Sequence, residues 1–429
     1  MGRDPLAAMH QWQKTYGDMV HLRIWPEHQI VLTDPDLARE LLVGHHASLI
    51  RWERGIAVLS PLHSGSVLMA EGEAWRHKRQ HLQPEFAPKP VQAFVPAISA
   101  AAANGFAQWR TGATPWPIES AFTSMAMDVI MRATFSCAVD ADGRAAEQAV
   151  HDVSVAANAE MFWPASWPDF MPWKRSKRQA IRVLKRLIER HVQARLARAR
   201  AEWPGDLLSR LLTLHLDDPN AWPLQAIHDE CMTTFMAGHE TVAATLTWWA
   251  WCMAANPLAQ QAARLEVEAV LQAQAPVVGR LPALVFLNAT LQETLRMYPA
   301  APVLLTRRTT KDVTLGGWQF PAKTMFTVPV QLMQHDPRWF PEPHVFRPER
   351  FLAGAPPFPR GAFMPFGAGP RVCLGQHLAM AEMTVIAAML LQRFELTVPD
   401  GMAAPRPLLN ISLRPAQPLH LRLAGRPTN

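Results

Sequence analysis

Apolar and polar residues alternate through Met19 to Ile24 and again through His28 to Thr33, the two-residue period of half-buried strands. Trp25-Pro26-Glu27 between them reads as a turn. Asp34-Pro35 then opens a helix, with an N-cap side chain and a proline at the first helical position, and Gly44 closes it. From about Glu73 to Met297 the period becomes helical, broken at Pro115 to Pro117, Pro164 to Pro172, Pro204, Pro219 to Pro223 and Pro257. After Tyr298-Pro299 the chain turns to β-prone runs punctuated by Gly-Gly and Pro, and a last helix runs from about Gly375 to Phe394. The expected architecture is mainly α with small β-sheets (α+β): a large helical body and a smaller sheet-containing lobe. The sheet pieces at the two ends are expected to meet, so residues 1–429 are read as one domain.

Composition agrees with a folded enzyme. Of 429 residues 49% are apolar and 18% charged, which excludes a mostly disordered polymer. The start, MGRDPLAAMHQWQKTYGD, has no apolar run resembling a signal peptide or anchor. The most apolar stretch, Val242 to Ala255, is shorter than the roughly 20 residues that span a bilayer. No integral membrane anchor and a cytoplasmic location are expected. The net charge of +6 gathers at Arg76-His77-Lys78-Arg79 and from Lys174 to Arg200. An acidic protein partner fits the first run, solvated helix faces fit the second, and no recognition motif points to nucleic acid. Cys137, Cys231, Cys252 and Cys373 lack C-x-x-C spacing, so neither a disulfide framework nor a zinc ribbon is expected. The first three read as small core residues.

Cys373 differs. Its segment, Phe366-Gly-Ala-Gly-Pro-Arg-Val-Cys-Leu-Gly375, places two glycines and a proline before the cysteine, permitting a tight turn whose N–H groups point at the sulfur. A helical period follows, so the thiol lies near a helix N-terminus that favours its ionised form. Arg371 is suited to pair with an anion. Position for position the segment resembles the Phe-x-x-Gly-x-Arg-x-Cys-x-Gly signature of the cytochrome P450 family, the haem-thiolate monooxygenases.

That resemblance implies a fold, a cofactor and a set of roles. Cys373 would ligate the iron of haem b, Phe366 would pack beneath the porphyrin, and Arg371 would meet a propionate. Trp75 and Arg79, spaced i, i+4, resemble the family's Trp-x-x-x-Arg grip on the same carboxylates, and Arg307 a further arginine there, with Arg308 beside it leaving the choice open. Ala237-Gly-His-Glu-Thr241 resembles the oxygen-activation segment: Thr241 would hydrogen-bond bound oxygen and Glu240 would feed it protons. Glycine and threonine there can open a groove in the helix. Glu293 and Arg296 share a helix face, and by resemblance lock to Arg347 or its neighbours to brace the cysteine loop. Substrate contacts are expected from Arg51 to Met69, Phe162 to Trp173, the helix before Gly238 including Ala237, Pro302 to Thr306 including Val303 and Leu304, and Asn410 to Ser412.

The order of motifs agrees along nearly the whole chain, from Tyr16-Gly17 to Leu413-Arg414-Pro415, with two departures: Lys323 where a glycine is usual, and Leu378 for a phenylalanine. The implied reaction is insertion of one atom of dioxygen into a hydrophobic small molecule. Electrons would come from NAD(P)H through a separate ferredoxin or flavodoxin and its reductase, docking on the basic run Arg76 to Arg79. The rival readings are a peroxide-driven or non-oxidative haem-thiolate enzyme and a haem-based gas sensor or carrier. The Glu240-Thr241 pair argues against the first two, and the absence of an output module against the third.

Overall fold

The computed structural model describes residues 4–24, 27–161, 167–272, 274–409 and 412–426. The Trp25-Pro26 turn, residues 162–166 and Asn410-Ile411 lie outside them. The strands among the described residues are twelve and short: β1 (Met19–Ile24), β2 (Glu27–Leu32), β3 (Leu49–Arg51), β4 (Gly112–Pro117), β5 (Arg307–Thr309), β6 (Val313–Leu315), β7 (Trp318–Phe320), β8 (Met325–Thr327), β9 (Phe394–Thr397), β10 (Pro407–Leu409), β11 (Leu413–Pro415) and β12 (His420–Gly425). The five-stranded sheet runs β1-β2-β8-β5-β3, with β2 parallel to β8, so strands from opposite ends of the chain pair as expected. A three-stranded sheet, β4-β12-β9, was not anticipated in full, because β4 sits where Pro115 and Pro117 were read only as a break. Its prolines are tolerated because β4 is an edge strand.

Local signals hold at the ends of elements. Asp34 accepts from the N–H groups of Asp36 and Leu37 to cap Pro35–Arg39, and a π-helical turn, Glu40–Gly44, extends it to the expected stop. Lys323 has φ 73°, so the usual glycine is replaced where the turn is left-handed. Leu378 is buried in the core.

The long helix Leu224–Ala255 is buried around most of its circumference and packs on Ile118–Phe135. It continues unbroken through Gly238 to Thr241. Gly238 therefore does not interrupt the helix. A Cβ there would meet Ile130 Cδ1 at 2.6 Å, so the glycine permits close approach of the two helices. The last helix, Gln376–Arg393, enters the same core through Val385, Ile386, Leu390 and Leu391. Cys231 and Cys252 are buried and Cys137 half-buried, and none forms a disulfide. Among the described residues no helix is long and apolar enough to cross a membrane.

Candidate active site around Cys373

Cys373 lies two residues before Gly375, the N-cap of helix Gln376–Arg393. Its N–H donates to Phe366 O at 2.9 Å, closing the loop, while Gly367 and Gly369 take φ 77° and 74°. A Cβ on Gly369 would sit 2.3 Å from Leu42 O, so this loop rests directly on the backbone of the π-helical turn. Cys373 is exposed as a residue, while its thiol is densely surrounded by protein. Burial raises its pKa, and the Gly375 N–H and Arg79 only partly offset that. Burial thus works against the thiolate that the loop favours, and a coordinated metal would deprotonate such a thiol. Ala237, exposed in an otherwise buried helix, and the half-buried Thr241, Val303 and Leu304 keep accessible surface.

An excess of buried and half-buried positive charge stands beside the loop. Arg51, Arg307 and Arg371 feel one another's charge, Arg79 adds to the field at Arg371, and Glu71 is the carboxylate acting on the first three. Arg371 donates to Ala70 O at 3.1 Å, pairs with Glu71 and lies 4.4 Å over the ring of Trp75. Arg51 pairs with Glu71 at 3.3 Å, but its buried Nε has no partner. Burial, reinforced by the neighbouring cations, pulls Arg51 down to about 9 and Arg307 to about 10. Such a cluster calls for anions the chain does not supply. Two carboxylates of a haem would satisfy it, so the residues present fit that cofactor. Arg308 is committed elsewhere, to Glu27 at 2.8 Å and Glu53 at 2.7 Å, which leaves Arg307 for this cluster. Arg51 was read only as part of a substrate-contact segment. No local motif marks it; strand pairing of β3 with β5 brings it opposite Arg307. Phe366 is half-buried against the helical core.

Behind the loop Glu293 and Arg296 are fully buried and paired at 2.7 Å. Arg296 also donates to Gln334 O at 2.7 Å and Pro343 O at 2.8 Å. Gln334 in turn accepts from Met364 N at 3.2 Å, connecting the brace to the segment entering the loop. Of Arg347 and its neighbours, two meet Glu293: the Arg347 backbone N–H reaches it at 2.9 Å, while the Arg347 guanidinium turns outward to Glu342, and Arg350 supplies the side-chain contact at 3.4 Å.

In the long helix Leu224–Ala255 Thr241 donates its hydroxyl to Ala237 O at 2.8 Å. Glu240, the next residue around the helix, points elsewhere: it accepts from Ser154 at 3.0 Å and Ser412 at 3.2 Å and lies 3.4 Å from Arg414. Among the described residues the two side chains expected to cooperate make no mutual hydrogen bond. Ser154 and Arg414 carry no signal in the sequence, because only folding brings the helix Ala141–Met161 and β11 to this carboxylate.

The family description "Cytochrome P450" matches residues 2–422. Among curated relatives, Cytochrome P450 734A4 of Oryza sativa subsp. japonica is 31% identical, over 97% of this chain and 84% of its own. Cyclooctat-9-en-7-ol 5-monooxygenase of Streptomyces melanosporofaciens is 28% identical, over 90% and 84%. Cytokinin hydroxylase of Arabidopsis thaliana is 30% identical, over 94% and 80%. A solved zebra fish cytochrome P450 with abiraterone superposes with a TM-score of 0.84 at 22% identity, over 99% of this chain and 100% of that one. On the match across residues 2–422, and with a cysteine loop and a cationic cluster suited to the haem that family carries, the chain belongs to the cytochrome P450 family and is a haem-thiolate monooxygenase.

Proposed function

We propose that this monooxygenase hydroxylates or epoxidises a hydrophobic small molecule within a single domain spanning residues 1–429. It acts in the cytoplasm, with electrons passed from NAD(P)H through a separate ferredoxin or flavodoxin and its reductase. Cys373 would hold the iron of haem b, Arg51, Trp75, Arg79, Arg307 and Arg371 would hold its carboxylates, and Phe366 would pack against it. When bound, the haem supplies oxygen binding and reductive O–O cleavage, which the electron-rich thiolate favours.

The chain's own groups do the rest. Arg51, Arg307 and Arg371 gain the anions they lack, so haem binding relieves a repulsion that the protein alone must bear. Glu293 and Arg296 keep the loop in register from behind and touch nothing that reacts. Thr241 presents a hydroxyl proton on the wall opposite Cys373, now shared with Ala237 O, and Glu240 is the acid that replenishes it through water. Ala237, Val303 and Leu304 offer an apolar surface that orients substrate and limits water.

The observation that carries this reading is the pairing of an accessible, loop-held cysteine with arginines whose charge the chain leaves unbalanced. The test is the absorption spectrum of the haem-loaded, dithionite-reduced protein under carbon monoxide. A strongly red-shifted Soret band is expected, lost in Cys373→Ser, and hydrophobic compounds should then shift the ferric spin state. A band at the position of histidine- or thiol-ligated haem would remove Cys373 from its role.

A further inference from the structure

Glu71 is the N-cap residue of the helix Gly72–Leu82, yet its side chain makes no capping bond. A polar side chain at that position commonly caps the first turn. Here both carboxylate oxygens turn to the arginines beside the cysteine loop instead. Oε1 accepts from the Arg51 backbone N–H at 3.1 Å and from its Nη1 at 3.3 Å, and Oε2 pairs with Arg371. Arg307 feels the same charge, while its own guanidinium donates to a backbone carbonyl, Leu305 O.

The surroundings of Glu71 fix its backbone and leave its side chain free to turn. The chain before it, which joins the helices Glu53–His63 and Gly72–Leu82, is tied to the long helix Leu224–Ala255. Gly65 N–H donates to Asp229 at 2.6 Å and Val67 N–H to Glu230 at 2.8 Å. Ala70 O accepts from Arg51 at 3.3 Å and from Arg371 at 3.1 Å. The Glu71 side chain is 28% exposed, against 7% for Arg51 and 12% for Arg371. A carboxylate open to water can leave its partners at little cost, whereas a buried guanidinium must find another anion. Glu71 is therefore the member of the cluster that can be exchanged.

We infer that Glu71 stands in for a haem carboxylate. It neutralises Arg51 and Arg371 in the haem-free protein and yields them when haem binds. Its negative charge thereby reverses its effect. It stabilises the haem-free fold, but in the loaded protein it is a like charge beside the two haem carboxylates, loosening the cofactor and disfavouring the reduced iron. This rests on the reading that these arginines hold haem. Glu71 is a positioning residue and touches no reacting atom.

The test compares Glu71→Gln with wild type in both states. Haem-free Glu71→Gln, prepared by extraction, should unfold at a lower denaturant concentration. The loaded variant should pass its haem to a scavenging apoglobin severalfold more slowly and show a higher reduction potential. Glu71→Asp, which keeps the charge, should return the potential close to wild type. A merely structural role would lower fold stability and haem retention together, so faster haem loss in Glu71→Gln overturns the inference. An unchanged potential or an unchanged unfolding midpoint overturns it equally. Should haem-free Glu71→Gln not fold, protein expressed with haem still yields the release rate and the potential, and failure to accumulate any loaded variant also overturns the inference. If Arg307→Gln leaves haem release unchanged, the arginines do not hold haem, and the underlying reading falls first and takes this inference with it. If Arg307→Gln and Glu71→Gln both speed release, only the stand-in role fails.

Discussion

Two clusters of buried and half-buried arginines flank the cysteine loop, and they are built on opposite principles. Behind the loop Arg296 is completely buried yet satisfied, with Glu293 and two backbone carbonyls taking its N–H groups. Beside the loop Arg51, Arg307 and Arg371 share one carboxylate, and the Arg51 Nε has no partner. Burial and neighbouring cations hold Arg51 and Arg307 well below the ordinary guanidinium range. The difference teaches how to separate scaffold from ligand site. A buried charge balanced within the chain serves the fold, whereas a buried charge left in excess marks where something else must bind.

The largest expected effect breaks the balanced side. Glu293→Gln leaves Arg296 charged in the core and should cost about 3–5 kcal/mol, read as the shift in chemical denaturation. A loss under about 1 kcal/mol would mean that the brace contributes no more than a surface pair. Acid exposes the role of burial elsewhere. His63 and His335 titrate near 4 in the fold against the ordinary 6.5, because burial disfavours their charged forms. The unfolded chain therefore binds more protons between those limits, and stability should fall as pH drops from about 6.5 to about 4. Glu230, raised to about 7 by burial, works the other way, so Glu230→Gln should steepen the acid loss in unfolding midpoints taken at successive pH values.

On the unbalanced side Arg307→Gln should release haem faster to a scavenging apoglobin by about tenfold, since a charged hydrogen bond is worth about 1.5–3 kcal/mol. The same change should leave the haem-free protein no less stable. Its folded pKa of about 10 lies below the ordinary guanidinium value, so its charge opposes folding at neutral pH, an effect relieved only as pH rises past about 10. Equal losses with and without haem would place Arg307 in the scaffold. The smallest effect is a turn outside both clusters: Lys323→Gly should add about 0.5 kcal/mol by relieving a left-handed lysine, after the entropy a glycine gives back. Thermal midpoints would resolve it.

Much was legible before any fold was drawn. Strand alternation from Met19, the Asp34 cap, the glycines about Cys373 and the i, i+3 pairing of Glu293 with Arg296 are short-range, set by backbone sterics and helix geometry, and the structure keeps each. The site was less legible wherever burial or distance in the chain decides. Thiol ionisation at Cys373 looked favourable from its loop and helix, but desolvation is a property of everything packed around it. Arg350 rather than the Arg347 side chain reaches Glu293 because the intervening turn sends one inward and the other out. Arg51 joins the propionate cluster only through strand pairing, and Arg414 reaches Glu240 only because β11 is hung from Trp248. By itself the sequence determined the family, most of the elements and the glycine-rich cysteine loop, since these follow from local pattern. Which charges are balanced and where Glu240 points were left to the tertiary structure, because Coulomb energy and desolvation depend on neighbours that a linear chain does not reveal.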